Sequence, residues 1–148
     1  MLSLQLSLTQ KFLLYQKKRA DESNYFVLWS IFQVSLYDLE LIPDLDPYSP
    51  TNFTTDGKIN IHLQTAQNLT ESETCITFHA KQLKIIEENV TINDAMNDTV
   101  AILGHEYDID REFYKIHLAQ KLLPNTDYVV SIPFLSILND DLSGFYRR

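Results

Sequence analysis

Cysteine is almost absent from this sequence, since Cys75 is the only one among 148 residues. One cysteine excludes an intrachain disulfide framework and a cysteine-rich zinc site. Cys75 opens an apolar segment, so we expect a buried and unreactive thiol at this position.

Glycine and positive charge are also scarce. With three glycines, the chain has no glycine-rich loop of the kind that cradles phosphate groups. The 12 basic residues are outnumbered by 20 acidic ones, which gives a net charge of −8. This balance argues against nucleic acid and anionic membranes as partners, because both require a positive surface.

Long hydrophobic runs are missing too. The apolar segment 25–36 is shorter than the ~20 residues that span a bilayer, and Ser30, Gln33 and Ser35 interrupt it. At the start of the chain, leucines precede the basic cluster Lys17–Arg19, the reverse of the order in a secretory signal. We assign residues 1–36 as an irregular N-terminal extension without a defined role, and we expect it to be loosely attached.

Alternation of apolar and polar residues dominates the chain from Tyr37 onward. A period of two predicts half-buried strands. We expect their core-facing residues to include Leu39, Ile61, Phe78, Ile116, Val130 and Ile132. About eight such segments, separated by turn signals, predict an all-β fold: an antiparallel sandwich or saddle-shaped sheet over residues 37–148. We interpret Asp56-Gly57 as one of these turns and expect Gly104 to end a strand at 100–103.

His105-Glu106 is the one pair that resembles a catalytic motif. A zinc peptidase helix needs His-Glu-x-x-His, and here Ile109 occupies the position of the second histidine. The pair also falls between strand patterns rather than on a helix. His62, His79 and His117 lie on the polar sides of their strands and are interpreted as surface histidines. We therefore predict no catalytic residue and no metal ligand in this chain.

Asn-x-Thr sequons occur four times, at Asn52, Asn68, Asn89 and Asn97. With 9 asparagines and 21 serines and threonines in the sequence, chance predicts about 1.3. The excess favours the secretory route, hence an extracellular or plasma-membrane protein glycosylated at one or more of these positions. A cytoplasmic relative, in which the sequons are accidental, is the alternative.

Five segments in order resemble the N-terminal β-domain of zinc aminopeptidases of the aminopeptidase N type. Tyr37–Leu45 resembles the opening strand Y-D-L-x-L-x-P-D-L, and Phe53–Leu63 resembles f-x-G-x-v-x-I-x-L. Thr77–Leu83 and Leu122–Tyr128 are similar to l-H-a-k-x-L and L-x-x-g-x-x-Y. The last segment, Leu138–Arg148, contains the G-F-Y-R phrase that ends the domain, in the residues Gly144, Phe145, Tyr146 and Arg147.

The resemblance implies a non-catalytic domain that docks on a peptidase domain and walls its cleft. In the family the zinc helix, the G-A-M-E-N loop and a substrate-binding glutamine lie in the following domain, beyond the end of this sequence. The parent activity would be zinc-dependent removal of N-terminal residues from peptides, and this chain would be a truncated form or fragment that holds no zinc itself. A stand-alone β-sandwich that serves as a binding or adhesion module is the alternative from a different functional class.

Overall fold

The computed structural model describes residues 32–46, 48, 54–67 and 74–137. In this part of the chain the regular elements are strands and one short 3-10 turn, Glu87–Asn89, and it contains no helix with the length and apolar character needed to cross a membrane. The strands are β1 (Phe32–Pro43), β2 (Thr54–Thr65), β3 (Cys75–His79), β4 (Leu83–Ile85), β5 (Thr91–Asp94), β6 (Ile102–Asp108), β7 (Phe113–Leu118) and β8 (Asp127–Ile137). The all-β prediction with about eight strands is confirmed.

Two antiparallel sheets face each other. The larger has five strands in the order β1-β2-β8-β4, with β5 also paired to β8, and the smaller has the order β3-β7-β6. β4 and β5 occupy successive parts of the same edge of β8, at 134–136 and 128–131. Between them, the amide of Ile86 donates to the carbonyl of Pro133 at 3.0 Å and continues the hydrogen bonding.

The core lies between the sheets, where the inward rows of both form one apolar cluster. Ile61, Phe78, Ile116, Val130 and Ile132 are each 0% exposed, which confirms the faces expected from the alternation. Leu39, the sixth predicted core residue, is only partly buried because β1 forms the edge of the larger sheet. Val130 and Ile132 lie on β8, which pairs with β2 along one edge and with β4 and β5 along the other.

Strand β1 begins at Phe32 rather than at Tyr37, so residues 32–36 belong to the sheet although the sequence placed them in the extension. Phe32 pairs with Thr65 and is buried in the core, and Val34 packs against it. A register shift between Val34 and Leu36 interrupts the alternation, which conceals this strand start in the sequence. Residues 1–31 lie outside the described part of the chain.

Two glycine interpretations were wrong. Asp56-Gly57 lies inside β2 rather than at a turn, and β6 runs through Gly104, with a bulge between Ile102 and Gly104. Gly57 pairs across the strands with Phe134, and a β-carbon at Gly57 would lie 2.3 Å from Cζ of that ring. Glycine is therefore needed here because the Phe134 ring approaches the backbone closely. In the sequence, a glycine of this kind looks the same as one that marks a turn.

Cys75 also differs from expectation. Its side chain is half-buried, on the outer face of β3, and its sulfur lies 3.9 Å from the hydroxyl of Thr77. Cys75 pairs with His117 rather than with an inward residue of β7. The inward row of β3 starts one residue later, at Ile76, so the thiol is excluded from the core.

Candidate functional site

The side chains of His105 and Glu106 project to opposite faces of β6, because consecutive strand residues alternate in direction. Nδ1 of His105 is hydrogen-bonded to the hydroxyl of the buried Tyr114 at 2.6 Å. Glu106 instead meets Lys115 and His117 on the outer face of the smaller sheet. The pair lies on a strand, not between strands, and its geometry does not let both side chains bind the same metal ion.

Glu106 is the centre of a small charged cluster. Its carboxylate accepts a hydrogen bond from Nζ of Lys115 at 2.5 Å and lies 3.1 Å from Nε2 of His117. These hydrogen bonds, that from Lys115 first, lower the pKa of the Glu106 carboxyl, and the same contact raises the pKa of Lys115. The cluster holds opposite charges in solvent, an arrangement that contributes little stability.

A second charged cluster lies on the same face, in the segment that resembles l-H-a-k-x-L. Glu112 contacts Nε2 of His79 at 3.0 Å and Nζ of Lys81 at 3.2 Å. The backbone carbonyl of Glu112 also accepts from the amide of Ala80 at 2.8 Å. Glu112 has a φ of 56°, which few non-glycine residues adopt. The contacts with His79, Ala80 and Lys81 hold Glu112 in this conformation. The segment Thr77–Leu83 is thereby joined, at the end of β3, to the turn between β6 and β7.

The histidines do not converge. His79 and His117 lie on the outer face of the smaller sheet, and His62 lies on the opposite side of the molecule, on the outer face of the larger one. Within the described residues, no group of three or more His, Cys, Asp or Glu side chains could hold a metal ion.

Tyr107 and Tyr114 connect the two sheets, a feature that the sequence did not indicate. Their rings are 5.1 Å apart, and the hydroxyl of Tyr107 accepts a hydrogen bond from the amide of Ile85 on β4 at 3.2 Å. Burial raises the pKa of both hydroxyls. Tyr114 lies on the inward row of β7, and its contact with His105 depends on the register of β6.

The segment that resembles L-x-x-g-x-x-Y forms a closed corner before β8. Leu122 and Tyr128 are both buried, and the Tyr128 hydroxyl accepts from the amide of Leu123 at 2.9 Å. From the neighbouring strand, the hydroxyl of Thr65 donates to the carbonyl of Leu123 at 2.6 Å and accepts from the amide of Thr126 at 2.9 Å. The motif residues therefore determine a structure, not a chemistry.

Two of the four predicted glycosylation sites can be located. Asn89 is the last residue of the 3-10 turn and is exposed. Asn97 is also exposed, with a φ of 67°, and its Oδ1 accepts from the Asn93 amide at 3.0 Å. Asn52, Asn68 and the docking motif Gly144, Phe145, Tyr146 and Arg147 lie outside the described residues.

Comparison with protein-family models gives a match over residues 33–148, to the model described as the Peptidase M1 N-terminal domain. The chain belongs to this family. The matched range includes all eight strands except the first residue of β1, so the structural motifs above fall within one family domain. No curated protein matches the sequence. As an M1 N-terminal domain, the chain represents the part of an aminopeptidase that is accompanied by a catalytic domain in the full-length enzyme.

Proposed function

We propose that this chain is the non-catalytic N-terminal domain of a zinc aminopeptidase and that it docks on the peptidase domain and walls the cleft in which peptides lose their N-terminal residues. The family match over 33–148 is the observation that carries this proposal. The described residues support it, because His79 and His117 contact two separate glutamates and His105 is hydrogen-bonded to Tyr114, so these histidines do not converge on one point. Zinc and the residues that hold it would be supplied by the peptidase domain.

The full-length transcript tests whether the chain is part of such an enzyme. We expect the codon for Arg148 to be followed, in frame, by a sequence that encodes His-Glu-x-x-His. A transcript that stops after Arg148 in all tissues, together with binding of the chain to an unrelated surface protein, would favour the stand-alone binding module.

We also propose that the enzyme is an extracellular or plasma-membrane ectodomain that reaches its location through the secretory pathway. The four sequons support this, and the two that are described lie on exposed turns where a glycan can extend into solvent. Thr91 and Thr99, the sequon hydroxyl residues at these two sites, are exposed as well.

Substitution of the sequon threonines tests the glycosylation sites without altering the asparagines. This choice matters at Asn97, because asparagine tolerates a positive φ better than glutamine. In a secreting eukaryotic cell, Thr91→Ala and Thr99→Ala should each reduce the mass that glycosidase removes. Thr91→Ser and Thr99→Ser keep the sequons and should still be glycosylated. A wild-type chain of unchanged mass after glycosidase treatment would favour the cytoplasmic relative.

A further inference from the structure

Tyr114 carries a hydroxyl group into the core, where the residue is 0% exposed. A buried tyrosine hydroxyl needs a hydrogen-bond partner in the protein, because burial removes its water. Among the residues that the structure describes, this hydroxyl has one such partner, Nδ1 of His105 at 2.6 Å. The Tyr114 hydroxyl therefore depends on a single group, and that group can take up a proton.

The protonation state of His105 decides which atom donates in this hydrogen bond. A ring nitrogen without hydrogen accepts, whereas a protonated imidazole is a donor at both nitrogens. Burial raises the pKa of the Tyr114 hydroxyl, so this group keeps its proton and can donate it. The arrangement that satisfies the hydroxyl is therefore a neutral His105 with its hydrogen on Nε2. His105 is half-buried rather than enclosed, so its ring can exchange protons with solvent.

Tyr107 and Glu87 are the titratable groups that face this pair within the described part of the chain. The rings of His105 and Tyr114 are nearly parallel, with centroids 5.6 Å apart, and the Tyr107 ring lies 5.1 Å from that of Tyr114. The negative charge of Glu87 acts on both tyrosines through space and contributes to their raised pKa. No carboxylate of the described residues contacts His105, so none compensates for the hydrogen bond that protonation of its ring would break.

The strand that carries His105 lies at an edge. β6 pairs with β7 on one side, and in the described structure no strand pairs with its other side. Towards the larger sheet, the hydroxyl of Tyr107 accepts a hydrogen bond from the amide of Ile85 on β4 at 3.2 Å. An edge strand with so few attachments can open locally while the rest of the domain stays folded. β6 can therefore move outward and admit water without separating any pair of strands other than β6 and β7.

We propose that His105 and Tyr114 form a pH-sensitive latch on β6: neutral His105 holds this strand against the core, and protonation of His105 releases it. A protonated ring leaves the Tyr114 hydroxyl without an acceptor, which is unfavourable for a buried group. Outward movement of β6 relieves this cost, because water then reaches the hydroxyl. Histidine is the side chain that ordinarily changes charge between pH 5 and 8. The stabilisation from this bond is present while the ring is neutral and is lost as the pH falls and the ring takes up a proton.

Urea unfolding of the complete 148-residue chain at pH 7.5 and at pH 5 tests the latch. Tyr114→Phe removes the hydroxyl and keeps the ring. We expect this substitution to raise the unfolding equilibrium constant by about tenfold at pH 7.5 and by less than about twofold at pH 5, where the wild-type bond is already lost. His79 and His117, which contact glutamates, are present in both proteins, so their protonation cancels in the comparison.

Tyr128→Phe is the matched control, because the Tyr128 hydroxyl is also buried but accepts from the amide of Leu123, which does not titrate. Its effect should be the same at both pH values. The comparison of wild type with Tyr114→Phe is repeated in a Glu87→Gln background, where the pH dependence should persist. A cost of Tyr114→Phe that is equal at both pH values, or a pH dependence that disappears with Glu87, would show that His105 is not the group that releases β6.

NMR spectroscopy of the wild-type chain gives a second measurement, which does not depend on the folding of Tyr114→Phe. The ring nitrogen shifts of His105 at pH 7.5 should show hydrogen on Nε2 alone. The protection factor of the Ile85 amide, which is bonded to Tyr107, should fall by about tenfold between pH 7.5 and pH 5. In His105→Asn, whose Oδ1 can accept from Tyr114 and does not titrate, it should change by less than about twofold. Hydrogen on Nδ1 at pH 7.5, or an Ile85 amide of equal protection at both pH values, would overturn the latch.

Discussion

At the residue scale, Gly57 is the position where one atom decides the packing. The ring of Phe134 lies directly over its α-carbon, and the ring is fully buried, so it cannot move aside without disturbing the core. By contrast, a β-carbon at Gly104 would meet no atom within 4 Å. The two glycines therefore form a natural pair for comparison.

We predict that Gly57→Ala lowers the free energy of unfolding by about 1–3 kcal/mol, because the added methyl group overpacks the site. Gly104→Ala should cause no loss, since space is open there and alanine restricts the unfolded chain more than glycine does. Urea unfolding of both variants measures the difference. Equal losses for the two substitutions would show that Phe134 does not occupy the place above Gly57.

The titration of Glu106 reports the contact between β6 and β7 in the smaller sheet. We predict that its carboxyl pKa, measured by NMR, lies below the usual value of about 4.3 and rises toward that value in Lys115→Gln, because the Lys115 hydrogen bond is the main cause of the shift. The stabilisation from Glu106 is present above the unfolded pKa and is lost as pH falls through the folded pKa. The folded-state pKa of Lys115 is raised. The stabilisation from Lys115 is therefore present below its unfolded pKa and is lost as pH rises through its folded pKa. An unchanged Glu106 pKa in Lys115→Gln would contradict the contact.

At the scale of elements, the corner before β8 determines where the central strand begins. Tyr128 closes this corner through its hydroxyl, and Thr65 holds the same loop from β2. The loop thus attaches to the two strands that form the middle of the larger sheet. A comparable use of a tyrosine hydroxyl to bond an upstream backbone group occurs in immunoglobulin-like sandwiches.

We predict that Tyr128→Phe lowers the free energy of unfolding by about 1–3 kcal/mol, because the amide of Leu123 loses its acceptor while the ring keeps its packing. Tyr48→Phe is the control, since the Tyr48 side chain is 94% exposed. Thermal unfolding of the two variants in parallel gives the comparison. A Tyr128→Phe variant as stable as Tyr48→Phe would mean that water replaces the hydroxyl at this corner.

At the scale of the whole molecule, the question is whether this chain has peptidase activity by itself. We predict that the purified chain, supplied with zinc, releases no aminoacyl chromophore above the blank. Peptide hydrolysis by zinc needs protein ligands that hold the metal and a base that accepts the proton of its bound water. His105 is hydrogen-bonded to Tyr114 and Glu106 projects away from it, so neither is placed for this work. Stoichiometric zinc binding, with turnover that is lost in His105→Ala, would contradict the prediction.

The sequence by itself determined most of the strands, their inward faces and the family. A period of two assigns each residue of a strand to one face or the other before any partner is known, which is why Ile61, Phe78 and Ile132 could be placed in the core. Motifs such as Leu122–Tyr128 pointed to the family because the residues that build this corner lie close together in the sequence.

The tertiary structure alone decided how those strands pair. Alternation is the same for every pairing of strands, so it cannot show that Gly57 faces Phe134 or that Glu106 meets Lys115. It also cannot show that β4 and β5 share one edge of β8. The outward row of β8 is visible in the sequence, but only the register shows which residues of β2, β4 and β5 lie beside it. Contacts between residues far apart in the chain follow from packing of the whole core, and for this reason they could be located only in the structure.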